Sequence, residues 1–187
     1  MNRLNALLSM GRRQDRSAGF SLVELVMVVA MIAIFSALAI ETGIYQWQRE
    51  RVNGMAVQLA GWIDTVRRSS LRGTSCMIQI NTGTISQNGT LAQTVDDASV
   101  AGNNNCLSST PLKVNENSNM TFSVSSSTAS NFGFTPRGTL TPSTSTITIS
   151  LALTSGGPSR CVQLSGLLGV VSVGRGSGAS CTTNSGF

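Results

Sequence analysis

The sequence predicts an α+β protein: one long N-terminal helix followed by a run of antiparallel strands that cover its apolar stripe. Three observations predict it. A largely apolar run occupies residues 20–40. Apolar residues then recur at helical spacing as far as Val66. After Gly73 the period shortens to two, and Gly, Asn, Ser and Thr punctuate the chain.

A length of 187 residues suits one ordinary domain plus an appendage. Charged residues make up 11% of the chain, well below the roughly 25% of an average soluble domain, and aromatics 5%. That profile fits a small extracellular β-rich domain with polar loops better than a cytosolic enzyme. Histidine is absent, which removes the commonest general base and the commonest metal ligand together. The net charge of +5 is concentrated at the front: Arg3, Arg12, Arg13 and Arg16 against Asp15 put +3 into the first 19 residues. The remaining nine basic and seven acidic residues leave only +2, so the high pI belongs mostly to the leader.

A basic stretch before an apolar run invites a signal-peptide reading, and the fit is poor. The run has 21 residues, enough to span a bilayer as a helix at about 1.5 Å per residue. No small-x-small cleavage site follows it; Glu41 and a helical pattern do. By the positive-inside rule the basic leader stays in the cytoplasm and the C-terminal bulk lies on the far side. A plain single-pass anchor does not explain Glu24. A carboxylate costs about 2.5–3.5 kcal/mol near the middle of an inserted helix, less near its end, and such a group usually marks function with a partner. A cut between Gly19 and Phe20 would create an α-amino group one helical turn from Glu24. The same amine on a neighbouring subunit would pair with that carboxylate inside a bundle of such helices.

Gly19-Phe20-Ser21-Leu22-Val23-Glu24, behind a short basic leader and ahead of an apolar helix, closely resembles the prepilin cleavage site of type IV pilins and type II secretion pseudopilins. The resemblance implies that a membrane peptidase cuts after Gly19 and methylates the new N-terminal Phe20, and that Glu24 serves subunit assembly. One departure is that Glu41 stands where pilins often carry a proline, leaving Gly43 as the weak point of the helix.

From Ile44 onward, Trp47, Val52, Met55, Leu59, Trp62, Ile63 and Val66 form the stripe of an amphipathic helix. Arg49, Glu50, Gln58, Asp64, Arg67 and Arg68 are expected on the opposite face, with Asp64 able to pair with Arg67 or Arg68 for a few tenths of a kcal/mol. Gly73, just after Arg72, is the expected stop. The organisation this predicts is a leader at 1–19, a transmembrane and assembly helix at 20–40, an amphipathic helix at 41–72, and a β-rich domain outside the cytoplasm at 73–187.

Strands are expected at 76–80, with Ile78 and Ile80 facing away from Met77 and Gln79, and at 119–125 and 131–135. Pro136-Arg137-Gly138 is a turn. The clearest strand is 145–153, where Ile147, Ile149, Leu151 and Leu153 alternate with Thr146, Thr148, Ser150 and Ala152. A hairpin follows, 160–165 and 170–175 around the turn 166–169. The polar stretch 81–119 is too long for a bare loop, so it should hold a short strand or two and be pinned in part by Cys106. This order, with "TVRRSSLRGTSCMIQI", "FGFTPRGTLTPSTSTITISL" and "RCVQLSGLLGVVSVGRG", resembles the GspH/FimT branch of pilin-like proteins. That branch implies a pilin-like fold and a low-abundance minor subunit that helps initiate a pilus or pseudopilus at or near its tip. Its partners would be other pilin subunits, the prepilin peptidase and the inner membrane.

Cys76, Cys106, Cys161 and Cys181 contain no CxxC pair; in an exported domain they read as two disulfides with three connectivities, and in the cytosol as reduced thiols. We expect Cys161–Cys181 and Cys76–Cys106, the first stapling the C-terminal tail to the last hairpin, each worth about 3 kcal/mol in the chain-entropy model.

No catalytic constellation emerges, and no cofactor or metal is expected. Serines are plentiful, but with no histidine and only Lys113 as an amine nothing activates them. Asp96 and Asp97 lack the further ligands a calcium site needs. Gly174-Arg175-Gly176-Ser177-Gly178 lacks the ending of a phosphate loop and reads as a flexible turn beyond the last strand. Some FimT-like subunits of DNA uptake carry a Gly-Arg-x-Arg motif whose arginines contact DNA. Gly174 and Arg175 match it, but Ser177 replaces the second arginine. DNA contact through Arg175 and the cluster Arg67, Arg68 and Arg72 is therefore a second reading, against the simpler one of a solvated helix face.

Overall fold

A computed structural model describes residues 19–95, 106, 110–115, 120–127, 131–142, 146–177 and 180–183, apart from the side chains of 38–42, 177 and 180. The basic leader, Asp96, Asp97 and Gly178 lie outside the described residues. The chain divides into two units, Met1–Thr42 and Gly43–Phe187, and the helix α1 (Leu22–Ser70) contributes to both.

In the first unit α1 begins where the Leu25 N–H donates to the Ser21 carbonyl at 3.1 Å. Every described side chain from 22 to 37 is exposed. Ser36 satisfies its hydroxyl internally, donating to the Ile32 carbonyl at 2.7 Å, the usual way a helix tolerates a serine in apolar surroundings. Among the described residues no helix is long and apolar enough to cross a membrane.

In the second unit the buried stripe of α1 is Val52, Met55, Ala56, Leu59, Ile63 and Val66. It starts later than the sequence suggested, because Ile44 and Trp47 are exposed. The Arg51 guanidinium instead lies 5.2 Å from the Trp47 ring centroid, a cation–π contact on the surface. The helix ends through a tightened turn, in which Gly73 donates to the Ser70 carbonyl at 3.1 Å and adopts φ 109°, a conformation that favours glycine.

Eleven strands follow among the described residues: β1 (Cys76–Ile80), β2 (Gly83–Ile85), β3 (Thr90–Val95), β4 (Leu112–Lys113), β5 (Phe122–Ser126), β6 (Asn131–Phe134), β7 (Leu140–Thr141), β8 (Ile147–Leu153), β9 (Arg160–Ser165), β10 (Val170–Ser177) and β11 (Ser180–Thr182). They form two antiparallel sheets, ordered β4-β3-β1-β6-β7 and β11-β10-β9-β8-β5-β2. Both contribute to one apolar cluster with the α1 stripe, including Ile78, Phe132 and Phe134 from one sheet and Ile149, Leu151 and Val162 from the other. The domain is therefore α+β, with its helix packed on antiparallel sheets.

Among its described residues the stretch 81–119 holds three strands rather than one or two, because β2, β3 and β4 each find a partner edge. The Trp62 indole N–H also donates to the Thr110 carbonyl at 2.9 Å, tying that stretch to α1. In β8 the alternation does not give a wet face: Thr148 and Ser150 are buried. Ser150 sits opposite Cys161 and Thr148 opposite Gln163, so the disulfide-tethered tail and the neighbouring strands shield the outer face as well.

The turn at 166–169 joins the sheets. The Leu140 N–H donates to the Leu167 carbonyl at 2.9 Å. A Cβ on Gly169 would stand 2.8 Å from the Phe134 ring, which only glycine permits. Cys161 and Cys181 are joined across a separation of 20 residues with Cα atoms 5.9 Å apart, and Cys76 and Cys106 across 30 with Cα atoms 5.6 Å apart. The segment after Gly174 is not a flexible turn. It continues β10 to Ser177, and β11 pairs back onto it, Arg175 opposite Thr182.

Candidate functional site

Gly19 and Phe20 precede the first helical turn, and Phe20 is 79% exposed. Glu24 lies in that first turn, where a carboxylate is favoured by the unpaired N–H groups and the positive end of the helix dipole. Its side chain is exposed, and the residues around it are Leu22, Val23, Leu25, Val26 and Met27. A helix apolar on all sides is stable only when something else covers it, and an exposed apolar surface of this extent marks an interaction site. Glu24 is the only charged residue between 20 and 40. Such a segment can bury itself in lipid or among like helices, with one carboxylate available to an incoming cation.

The four arginines considered for DNA do not form one patch. Arg67 and Arg68 lie in the last turn of α1, and Arg72 in the turn just beyond it. Arg68 pairs with Asp64 at 2.8 Å and is well exposed, a contact worth only tenths of a kcal/mol. Arg67 corrects the expectation of an outward face. It is half-buried, and its Nε is enclosed without a hydrogen-bond partner, near the turn at 136–138. Val66 and Ser70, which flank it on the helix surface, are fully buried, so the turn closes over its stem.

Arg175 belongs to a different group, one that sequence reasoning missed. In the β9–β10 ladder it stands opposite Arg160, so the two side chains share a face. Arg160 is only 4% exposed. Its Nε donates to the Asn53 side-chain oxygen on α1 at 3.1 Å. Burial first, then the neighbouring charges of Arg175 and Arg49, push the Arg160 guanidinium below its ordinary value, while Tyr45 opposes them. Beside Arg160 lies a cavity of about 300 Å³, lined also by Gln46, Arg49, Glu50 and Asn53. Their spacing of three, one and three places these four residues along one helix face. The missed signal was the period of β9: Arg160, Val162 and Leu164 alternate together, which puts Arg160 on the core face. Among the described residues no group of three or more His, Cys, Asp or Glu is placed to hold a metal ion.

Residues 14–40 match a family model described as the prokaryotic N-terminal methylation motif. This is the signature of type IV pilins and pseudopilins, so the chain carries their N-terminal motif. No curated protein matches the chain, and no solved structure does. Within the matched segment fall Gly19, Phe20 and Glu24, the residues around the start of α1.

Proposed function

We propose that the chain is a minor pilin of a type IV pilus. A prepilin peptidase cuts between Gly19 and Phe20 and methylates the new amine. The chain waits in the inner membrane as a single-pass protein with its C-terminal domain outside the cytoplasm. It then enters the filament, where Glu24 is neutralised by a neighbour's N-terminal amine, and acts in initiation at or near the tip. The observation that carries this reading is the methylation motif on a helix that is apolar on every described side and carries one carboxylate at its start. The two disulfides suit an oxidising compartment beyond the inner membrane.

The same observations suit a type II secretion pseudopilin, and the filament that contains the chain separates the two. A role in DNA uptake, or as a DNA-binding or adhesive tip module, draws on the resemblance at Gly174 and Arg175. Non-specific binding of a polyanion needs several cations acting along a track. The dispersal of Arg67, Arg68, Arg72 and Arg175 does not favour one. In cells that make the chain, shearing surface filaments should release it in processed form together with a major pilin. Recovery solely from the membrane fraction, with pilus assembly unchanged on deletion, overturns the proposal.

A further inference from the structure

Arg160 is a buried cation with no carboxylate paired to it among the described residues, while two further arginines approach it. Taking a charge out of water is costly unless an opposite charge joins it, and a cluster of like charges raises that cost. The Asn53 oxygen meets only the Nε of the guanidinium. The remaining charge faces a cavity of about 300 Å³, whose lining adds Arg49 and Gln46 as donors and Glu50 as the one acid. That volume admits a single carboxylate with the tip of its side chain.

We propose that this cavity is a carboxylate-binding site, filled by an Asp or Glu side chain of a neighbouring polypeptide, with Arg160 and Arg49 as its cations and Arg175, opposite Arg160 on β10, adding to the local positive charge. The guanidinium fork matches a carboxylate in two parallel hydrogen bonds, and the low-dielectric floor strengthens them. Asn53 holds the fork in place by its Nε, leaving the terminal nitrogens for the ligand. A nucleic acid suits the site less well, because Arg160 is at the bottom of a concavity and no track leads from it. Beyond Arg49 on α1, Arg51 turns to the Trp47 ring, and the next arginines, Arg67 and Arg68, start 18 residues after Arg49, about 27 Å along the helix. The inference rests on the assembly reading for the source of the acid: in a filament, neighbouring domains bring surface side chains into such recesses.

The test uses the full chain in cells that assemble the filament. Arg49 is exposed, so Arg49→Lys should leave the fold intact and place a primary amine at the cavity mouth. The background is low because Lys113 is the chain's one lysine. A zero-length carbodiimide then couples that amine to any carboxylate seated in the cavity, and mass spectrometry reads the joined peptides. The expected result is a peptide from a second polypeptide joined through Asp or Glu at position 49, at least about tenfold above the unsubstituted chain. Coupling only to the chain's own Glu50, or none, overturns the inference, as does loss of the product when a single-stranded oligonucleotide competes. In the same cells Arg160→Gln and Arg175→Gln should each lower recovery in sheared filaments by about tenfold or more, while Arg137→Gln does not. Equal recovery of all three also overturns it. A chain that is never processed at Phe20 speaks against the assembly reading instead, and the coupling product alone still judges the cavity.

Discussion

Replacing Leu59 by Ala is expected to destabilise the domain Gly43–Phe187 by about 3 kcal/mol, within the 2–5 kcal/mol range of such core truncations. Leu59 is fully buried at the middle of the α1 stripe, with Ala56 and Ile63 one turn away on either side. Its cluster draws on both sheets, so neither can collapse into the space without disturbing the other. A domain of this size is stabilised by only about 5–15 kcal/mol, so the loss is a large fraction of the total. Denaturation of the detergent-solubilised chain, followed through Trp62, measures it. That indole is half-buried on the same helix and hydrogen-bonded to Thr110, so it reports separation of α1 from the 81–119 stretch. Val57→Ala is the control: Val57 is exposed on the same helix and should change stability by no more than about 0.5 kcal/mol. Equal effects of the two substitutions would contradict the packing described.

Replacing Glu24 by Leu is expected to remove the chain from filaments while leaving it in the membrane. The two explanations of this helix predict opposite signs. If residues 20–40 were only an anchor, deleting a carboxylate that costs up to about 2.5–3.5 kcal/mol would improve insertion and harm nothing. In the assembly reading the carboxylate is repaid when a neighbour's amine meets it in apolar surroundings, where such a pair interacts far more strongly than in water. Chains carrying Glu24→Leu should therefore be inserted and cut normally, and fall by at least about tenfold in sheared filaments. Immunoblots of membrane and filament fractions, with recovery compared against Glu24→Asp, provide the measurement. Normal incorporation of the Glu24→Leu chain would sink the proposed role of Glu24.

The long helix and the strand run were legible because both depend on local period. Val52 to Val66 keep the helical spacing, and Ile147 to Leu153 keep the alternation of a strand. The turn residues Gly138, Gly166 and Gly169, all at positive φ, were equally plain. What failed depended on neighbours distant in sequence. Trp47 fits the helical period but stays exposed, with the Arg51 guanidinium rather than the core against its ring. Thr148 and Ser150 look solvent-facing, yet strands on both sides and the tethered tail bury them. The expected strand stopped at Arg175 and the glycines after it read as a turn, because nothing local announces that 180–182 returns to pair with 175–177.

The basic cluster shows the same division. Arg67, Arg68 and Arg72 are close in sequence and invited a shared role, but the helix turns them to different surroundings. Arg49, Arg160 and Arg175 are scattered over 127 positions, yet Arg49 and Arg160 line one cavity and Arg175 stands opposite Arg160 in the sheet. Only β-sheet register and the packing of α1 bring them together. Gly19, Phe20 and Glu24 are the reverse case: they lie together in sequence, inside the stretch 14–40 that matches the N-terminal methylation motif, with no help from the domain.

A chain made as a prepilin matures at Phe20. Intact-mass and N-terminal peptide analysis of the chain recovered from sheared filaments tests it most directly. The expected N-terminus is Phe20 carrying one added methyl group on its amine. An unmodified chain beginning at Met1 in that fraction would contradict it.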